Sequence, residues 1–168
     1  ALDSEPVARE AIELLGEVLL RPKTLDGGFL PHVVEIEKKN QRERLEARIN
    51  DKLRYGIERC HEIMCEGEPF ALSAGGEVAD IDKITSEELY ARYLDVIKTA
   101  PVEIYYIGGA DQNAVSDSFL KMFSKIERDE REIPKTTARP VGAQKAADEI
   151  MDVAQCKLTM GFRTPITA

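Results

Sequence analysis

The sequence predicts an α+β fold, in which helices pack on a small sheet, and three observations support this prediction. Apolar residues recur every three or four positions in four separate stretches, as in amphipathic helices. Two shorter stretches, residues 102–107 and 155–162, have the β-branched, aromatic or alternating apolar content of strands. In the second, Cys156, Leu158, Met160 and Phe162 share one face, as in a half-buried strand with that face inward. Serine, threonine or aspartate precedes three of the helices as a capping residue. Because two strands make a poor independent sheet, we expect a piece of a longer polypeptide.

The first two helices are set by proline and by apolar spacing. One is predicted to begin at Ser4-Glu5-Pro6 and to end before Arg21-Pro22. A longer helix is predicted from about Pro31 to about Glu66, with a break near Asn50-Asp51 as the alternative. Its apolar stripe should form one buried face and consists of Leu45, Ile49, Leu53, Ile57, Cys60 and Met64.

Turn and capping signals mark the remaining elements. Asp26-Gly27-Gly28 predicts a turn, and residues 68–82 predict a loop. Thr85 and Glu88 stand at the three-residue offset of a capping box, so a helix should begin after Thr85. Asp111 is expected to cap one further helix.

These elements divide the chain into three stretches. Residues 1–126 form the helical and strand portion of one structural unit. Residues 127–147 are charged and contain proline, so we predict a linker or long loop. Residues 148–168 supply a further strand of the same unit.

Composition bounds the partners and the compartment. The chain has 168 residues, 43% hydrophobic and 32% charged, which is ordinary for a folded globular protein. Its net charge of −8 disfavours nucleic acid and anionic membrane surfaces as partners. The three cysteines and the absence of signal-peptide features at residues 1–5 favour reduced thiols in a cytoplasmic protein.

No complete catalytic, cofactor-binding or metal site is expected from the residues. His61 and Cys65 are four apart on a helix, so they could place two metal ligands together, with Cys156 as a third; the alternative is a polar helix end with a half-buried thiol. His32 is the only other histidine, which argues against serine or cysteine nucleophilic catalysis. The junction at residues 108–111 lacks dinucleotide and phosphate-loop spacing and predicts an ordinary turn.

Several short phrases occur in an order that resembles a known family. From the N-terminus they are Gly28-Phe29 with Glu37-Lys38, Asn50-Asp51-Lys52 with Tyr55, Ile84-Thr85 with Glu88-Leu89-Tyr90, residues 104–115, and Gln155 with Leu158 and Gly161-Phe162-Arg163. This set resembles the insulinase/pitrilysin/mitochondrial-processing-peptidase family of zinc metallopeptidases, in particular bacterial members of the inactive-partner type. The resemblance implies a partial unit of that fold, with helices packed on a mostly antiparallel sheet.

The same resemblance implies that this chain is inactive alone. Active members hold zinc through an inverted His-x-x-Glu-His motif, which is absent here, and through a later glutamate a short way past a Glu-Lys pair. Matching that pair to Glu37-Lys38 puts Arg44 at or near the ligand position, with Glu43 and Glu46 close by. Arginine cannot ligate zinc because it has no acceptor and stays protonated. Zinc is therefore expected in active members of the family and not in this chain.

The resemblance also implies a function and its partners. We expect a non-catalytic, chamber-forming or peptide-binding part, with peptide or unfolded protein as ligand and another insulinase-family half or subunit as partner. The alternative is a stand-alone acidic protein-interaction module with no peptidase connection. We further expect self-association, because the edges of the two predicted strands and the stripe of the long helix would lack cover.

Overall fold

The computed structural model describes residues 4–134 and 142–164, apart from the side chains of Ser4 and Glu5. In chain order the elements are α1 (Ser4–Leu20), β1 (Thr24–Leu25), β2 (Gly28–Phe29), α2 (Pro31–Ala47), α3 (Lys52–Met64), α4 (Val78–Ile81), α5 (Ser86–Thr99) and α6 (Gln112–Phe123). Short 3₁₀ turns occupy Arg48–Asn50 and Pro69–Ala71. Helices with a small antiparallel sheet confirm the α+β prediction. Residues 1–3, residues 135–141 of the predicted linker and residues 165–168 of the predicted last strand lie outside the described residues.

The sheet is a two-stranded hairpin at the predicted turn. Thr24 lies opposite Phe29 and Leu25 opposite Gly28 in antiparallel register. The two turn residues both have left-handed backbone, with φ of 50° at Asp26 and 87° at Gly27. Aspartate followed by glycine is a favoured pair for such a hairpin turn, because both central residues need positive φ.

The two strands predicted at residues 102–107 and 155–162 are wrong as strands. Among the described residues, sheet pairing involves only β1 and β2. A strand needs a neighbouring backbone with which to exchange hydrogen bonds, and side-chain content does not report whether one is present. These two segments therefore have a strand-like sequence pattern without sheet pairing.

The single helix predicted from Pro31 to Glu66 is also wrong, and the alternative break near Asn50-Asp51 is confirmed. α2 ends at Ala47, and α3 begins at Lys52 after the 3₁₀ turn. The Asp51 carboxylate accepts a hydrogen bond from the backbone N–H of Arg54 at 3.1 Å. An aspartate that captures a first-turn N–H favours a new helix start over continuation.

The apolar stripe of the predicted long helix is not a buried face. Leu53 and Ile57 remain 61% and 42% exposed. Cys60 and Met64, one and two turns further on, are half-buried. The expectation of one buried face is therefore wrong for the first half of α3.

Two of the three predicted caps, at Thr85 and Asp111, are confirmed, and the side chain of Ser4, the third, lies outside the described residues. The Thr85 hydroxyl accepts from the backbone N–H of Glu88 at 3.2 Å at the start of α5. The Asp111 carboxylate accepts from the N–H groups of Asn113 and Ala114, at 3.0 and 2.9 Å, at the start of α6. These side chains satisfy N–H groups that have no partner within the helix.

The chain divides into two compact units. The first contains the described residues up to Val34 together with Ile84–Pro134. The second contains Glu35–Lys83 and the described residues from 142 onward. Within the described residues, no helix has the length and apolarity needed to cross a membrane.

In the first unit, α1 packs on α6 and β2 packs on α5. The Phe29 ring meets Tyr90 and Tyr93 edge-on, with centroids 5.2 and 5.5 Å apart. The Tyr93 hydroxyl donates to the Leu19 carbonyl at 2.8 Å, which ties α5 to the end of α1. The buried apolar side chains of this unit are those of Ile12, Val34 and Val115.

Candidate functional site

In the second unit, six side-chain hydrogen bonds join residues 55–68, which include most of α3, to residues 142–164, a segment that we call the strap. The strap contains no helix or strand. Its first arm, residues 145–149, runs from the end of α3 back towards the start of the helix. Its second arm, residues 155–163, runs along α3 in the same direction as the helix. It extends from Gly56, near the start of α3, to the residues just beyond its end.

The first arm begins at an ammonium contact near the end of α3. Lys145 Nζ donates to the carbonyl of Ile63 at 3.0 Å and to Glu66 Oε2 at 2.7 Å. This bond holds the pKa of the Glu66 carboxyl below its ordinary value. Capping the end of a helix with a cation also suits the partial negative charge of its last carbonyls.

The first arm ends at a carboxylate with two donors on α3. Glu149 accepts from the hydroxyl of Tyr55 at 2.7 Å and from Arg59 Nε at 2.6 Å. The bond from Tyr55, followed by that from Arg59, holds the pKa of Glu149 below its ordinary value. The hydrogen bond between Tyr55 and Glu149 also raises the pKa of the Tyr55 hydroxyl. Arg59 also pairs with Glu62 one turn along the helix.

The second arm approaches α3 closely because glycine stands at two contact points. A methyl group added at Gly56 would lie 2.8 Å from Thr159 Oγ1. A methyl group added at Gly161 would lie 2.8 Å from both Cys60 Sγ and Met64 Sδ. At distances below 3.0 Å something must shift, so a side chain at either position would displace the Thr159 hydroxyl or the Cys60 and Met64 side chains.

An arginine–carboxylate pair fixes the end of the second arm. Arg163 donates from both terminal nitrogens to the two oxygens of Glu68, at 2.5 and 3.0 Å. The Glu68 side chain is only 8% exposed. This fork-to-fork geometry is among the strongest that hydrogen bonds offer. The pair raises the pKa of Arg163 and secures the arm just beyond α3.

The second arm presents its apolar residues away from α3. Leu158, Met160 and Phe162 are 84%, 68% and 82% exposed, and Cys156 is exposed as well. The alternation seen in the sequence is real, but Thr159, not an apolar residue, faces the helix. The expectation of a half-buried strand with this apolar face inward is therefore wrong. The arm instead offers an exposed apolar surface.

The three candidate metal ligands do not form a site. His61 packs its ring against Phe70, with centroids 5.2 Å apart. Cys65 is buried, and Cys156 is exposed on the strap. Across residues 4–134 and 142–164, no group of three or more potential ligands is arranged to hold a metal ion.

The position that the resemblance assigns to the third zinc ligand lies on the exposed surface of α2. Arg44 donates to Gln41 Oε1 at 3.2 Å. Glu43 is 3.8 Å from the Lys39 ammonium, and Glu46 is exposed. Arg44 and Glu43 bind neighbours on their own helix, and among the described residues these side chains form no group of metal ligands. The residues present do not fit a zinc ion.

Sequence reasoning missed most of the strap contacts. Lys145, Glu149 and Glu68 are charged residues in a chain that is one-third charged, so nothing in the sequence distinguishes them. Gly56 and Gly161 carried a usable signal, because glycine inside a helix or an extended segment often marks a close approach of another backbone.

Comparisons with known proteins show that the chain is similar to a protein from Bacillus subtilis and to a solved structure from Enterococcus faecalis. No family model matches the chain. The chain is 33% identical over 165 residues to a protein from Bacillus subtilis (strain 168) described as "Probable inactive metalloprotease YmfF". It is thus similar to a metalloprotease-like protein named as inactive. The match covers 98% of this chain and 39% of that relative, so the chain spans less than half of the relative's length.

A crystal structure of a conserved protein from Enterococcus faecalis V583 also matches. The TM-score is 0.50, with 26% identity over 55% of this chain and 22% of that one. The functional argument rests on the similarity to the Bacillus protein, because that match covers 98% of this chain.

Proposed function

We propose that this chain is a non-catalytic part of an insulinase-type, metallopeptidase-like protein and that it forms a peptide-holding wall. The similarity to a protein named as a probable inactive metalloprotease is the observation that carries this proposal. The more specific assignment to an insulinase-type protein rests on the ordered sequence segments that resemble that family. Zinc and the general base would come from another half or subunit, because Arg44 stands where a ligand is expected.

The outward face of the second arm supports the peptide-holding role. Its three large apolar side chains are mostly exposed and lie at alternate positions. Among the described residues, the backbone of residues 155–163 makes no backbone–backbone hydrogen bond. An exposed segment whose backbone makes no such bond can accept a peptide as an added strand, with backbone bonds for affinity and alternate side chains for specificity.

A cytoplasmic location belongs to the same proposal. Cys60, Cys65 and Cys156 are all free thiols. Free thiols persist in reducing compartments, where disulfides are rare.

Peptide binding by fluorescence polarisation tests the role. The probe is a labelled, unstructured peptide of alternating apolar and polar residues, titrated with the chain. We expect saturable binding that Leu158→Lys weakens about tenfold, since one buried apolar side chain contributes about 1.5 kcal/mol. Ile150→Lys is the matched control, because Ile150 is fully exposed on the strap outside the second arm.

Two outcomes would overturn the proposal. One is peptide binding that both lysine substitutions leave unchanged, which would mean that the second arm is not the binding surface. The other is peptide cleavage by the purified chain that a chelator abolishes and zinc restores, which would contradict the non-catalytic assignment.

A further inference from the structure

We propose that the strap is a releasable cover of α3, opening while the helices stay folded, and that ionic strength sets how often it opens. Opening exposes the thiols of Cys60 and Cys65 and withdraws the second arm from its fixed position. The thiols of the chain itself report the opening.

The strap is attached through side chains. Among the described residues, none of the backbone–backbone hydrogen bonds outside helices and strands involves residues 142–163. Most strap side chains are exposed. Segments with few buried apolar contacts open locally at lower free energy than the helical body around them.

Charge supplies three of the attachments. Lys145 pairs with Glu66, Glu149 with Arg59, and Arg163 with Glu68. The first two pairs are partly or largely exposed, and exposed pairs weaken as salt screens them. Raising the ionic strength therefore favours the open strap while leaving the apolar and helical contacts of the unit in place.

The three cysteines differ in how the strap covers them. Gly161 lies against Cys60 Sγ. Cys65 is buried, and its carbonyl accepts from the backbone N–H of Glu68, the residue that Arg163 binds. Cys156 is exposed on the strap itself. Opening should raise the reactivity of the first two thiols and leave the third unchanged, so Cys156 is an internal reference.

Alkylation with iodoacetamide, quantified for each cysteine by peptide mass spectrometry, tests the proposal on the whole chain. The uncharged reagent keeps its encounter rate nearly independent of salt. Between ionic strengths of about 0.1 M and 1 M the Debye length falls from about 10 to about 3 Å. Over this range we expect the rates at Cys60 and Cys65, relative to Cys156, to rise together several-fold, with unchanged helical circular dichroism.

Two variants separate the strap from general destabilisation. Arg163→Ala should raise both relative rates about tenfold at low salt, because it removes the most buried attachment. Arg42→Ala breaks the pair with Asp82, outside the strap, and should leave them unchanged. If Arg163→Ala does not fold, Glu149→Gln tests the same attachment principle at the first arm.

Relative rates that do not respond to salt would overturn the proposal. So would rates that rise only when the helical signal is lost, since the thiols would then report global unfolding. Peptide binding plays no part in this readout, so failure here leaves the proposed function standing, and the reverse also holds.

Discussion

Replacing Gly56 with alanine sets two effects of opposite sign against each other. Gly56 lies in the middle of α3, where alanine favours the helix by about 1 kcal/mol. The added methyl group would lie 2.8 Å from Thr159 Oγ1 on the strap. Overpacking of this kind costs about 1–3 kcal/mol. The net expectation is a loss of about 0–2 kcal/mol in the free energy of unfolding.

Removing the obstructing oxygen should reverse the sign. In a Thr159→Ala background the nearest strap atom is the Cβ of residue 159, which lies 3.9 Å from the added methyl group, an ordinary contact. Gly56→Ala should then stabilise the chain by about 1 kcal/mol, as helix propensity alone predicts. The coupling between the two positions is therefore about 1–3 kcal/mol.

Urea unfolding followed by circular dichroism measures the four variants of this cycle. Alkylation of Cys60 follows the strap itself, in case the strain opens the strap before the helices unfold. If Gly56→Ala stabilises the chain equally in both backgrounds and leaves the Cys60 rate unchanged, the second arm does not lie against α3 and the packing described here is refuted.

Three further perturbations have defined signs. Thr85→Ala should lower the free energy of unfolding by about 1 kcal/mol in urea titrations, since it removes the cap of α5; no change would mean that the cap is not needed. Gly28→Ala should cost about 1–3 kcal/mol by the same measurement, because a methyl group would lie 3.0 Å from the backbone carbon of Ser86, and a neutral result would contradict the packing of β2 on α5. The pKa of Glu149 is lowered in the folded state, so its contribution is present above its unfolded pKa and disappears as the pH falls through the folded value. Stability measured against pH should show this loss in the native chain and not in Glu149→Gln.

Local signals in the sequence predicted local structure well. Thr85, Asp111 and the Asp26-Gly27 pair each act through bonds or torsions within a few residues, so the sequence alone contains the information. The break before α3 was also visible as Asp51, although the continuous apolar spacing favoured one long helix.

Pairing and orientation were not predictable in the same way. The alternation at residues 155–162 predicted which side chains share a face, and it assigned the apolar face to the interior. In the structure the opposite side of the arm, which carries Thr159 and Gly161, lies against α3. This close approach is possible because Gly56 and Gly161 have no side chain. The charged attachments of the strap join residues that are 79–95 positions apart, a separation that no local pattern encodes.

Photo-crosslinking with a peptide tests the central claim most directly. The probe is an extended, apolar peptide that carries a photoreactive group, irradiated with the chain and mapped by mass spectrometry. A peptide-holding wall predicts crosslinks concentrated on residues 155–163, around Leu158, Met160 and Phe162, with the peptide intact in the presence of zinc. Crosslinks spread over the exposed apolar residues of α1, or absent from the second arm, would contradict it.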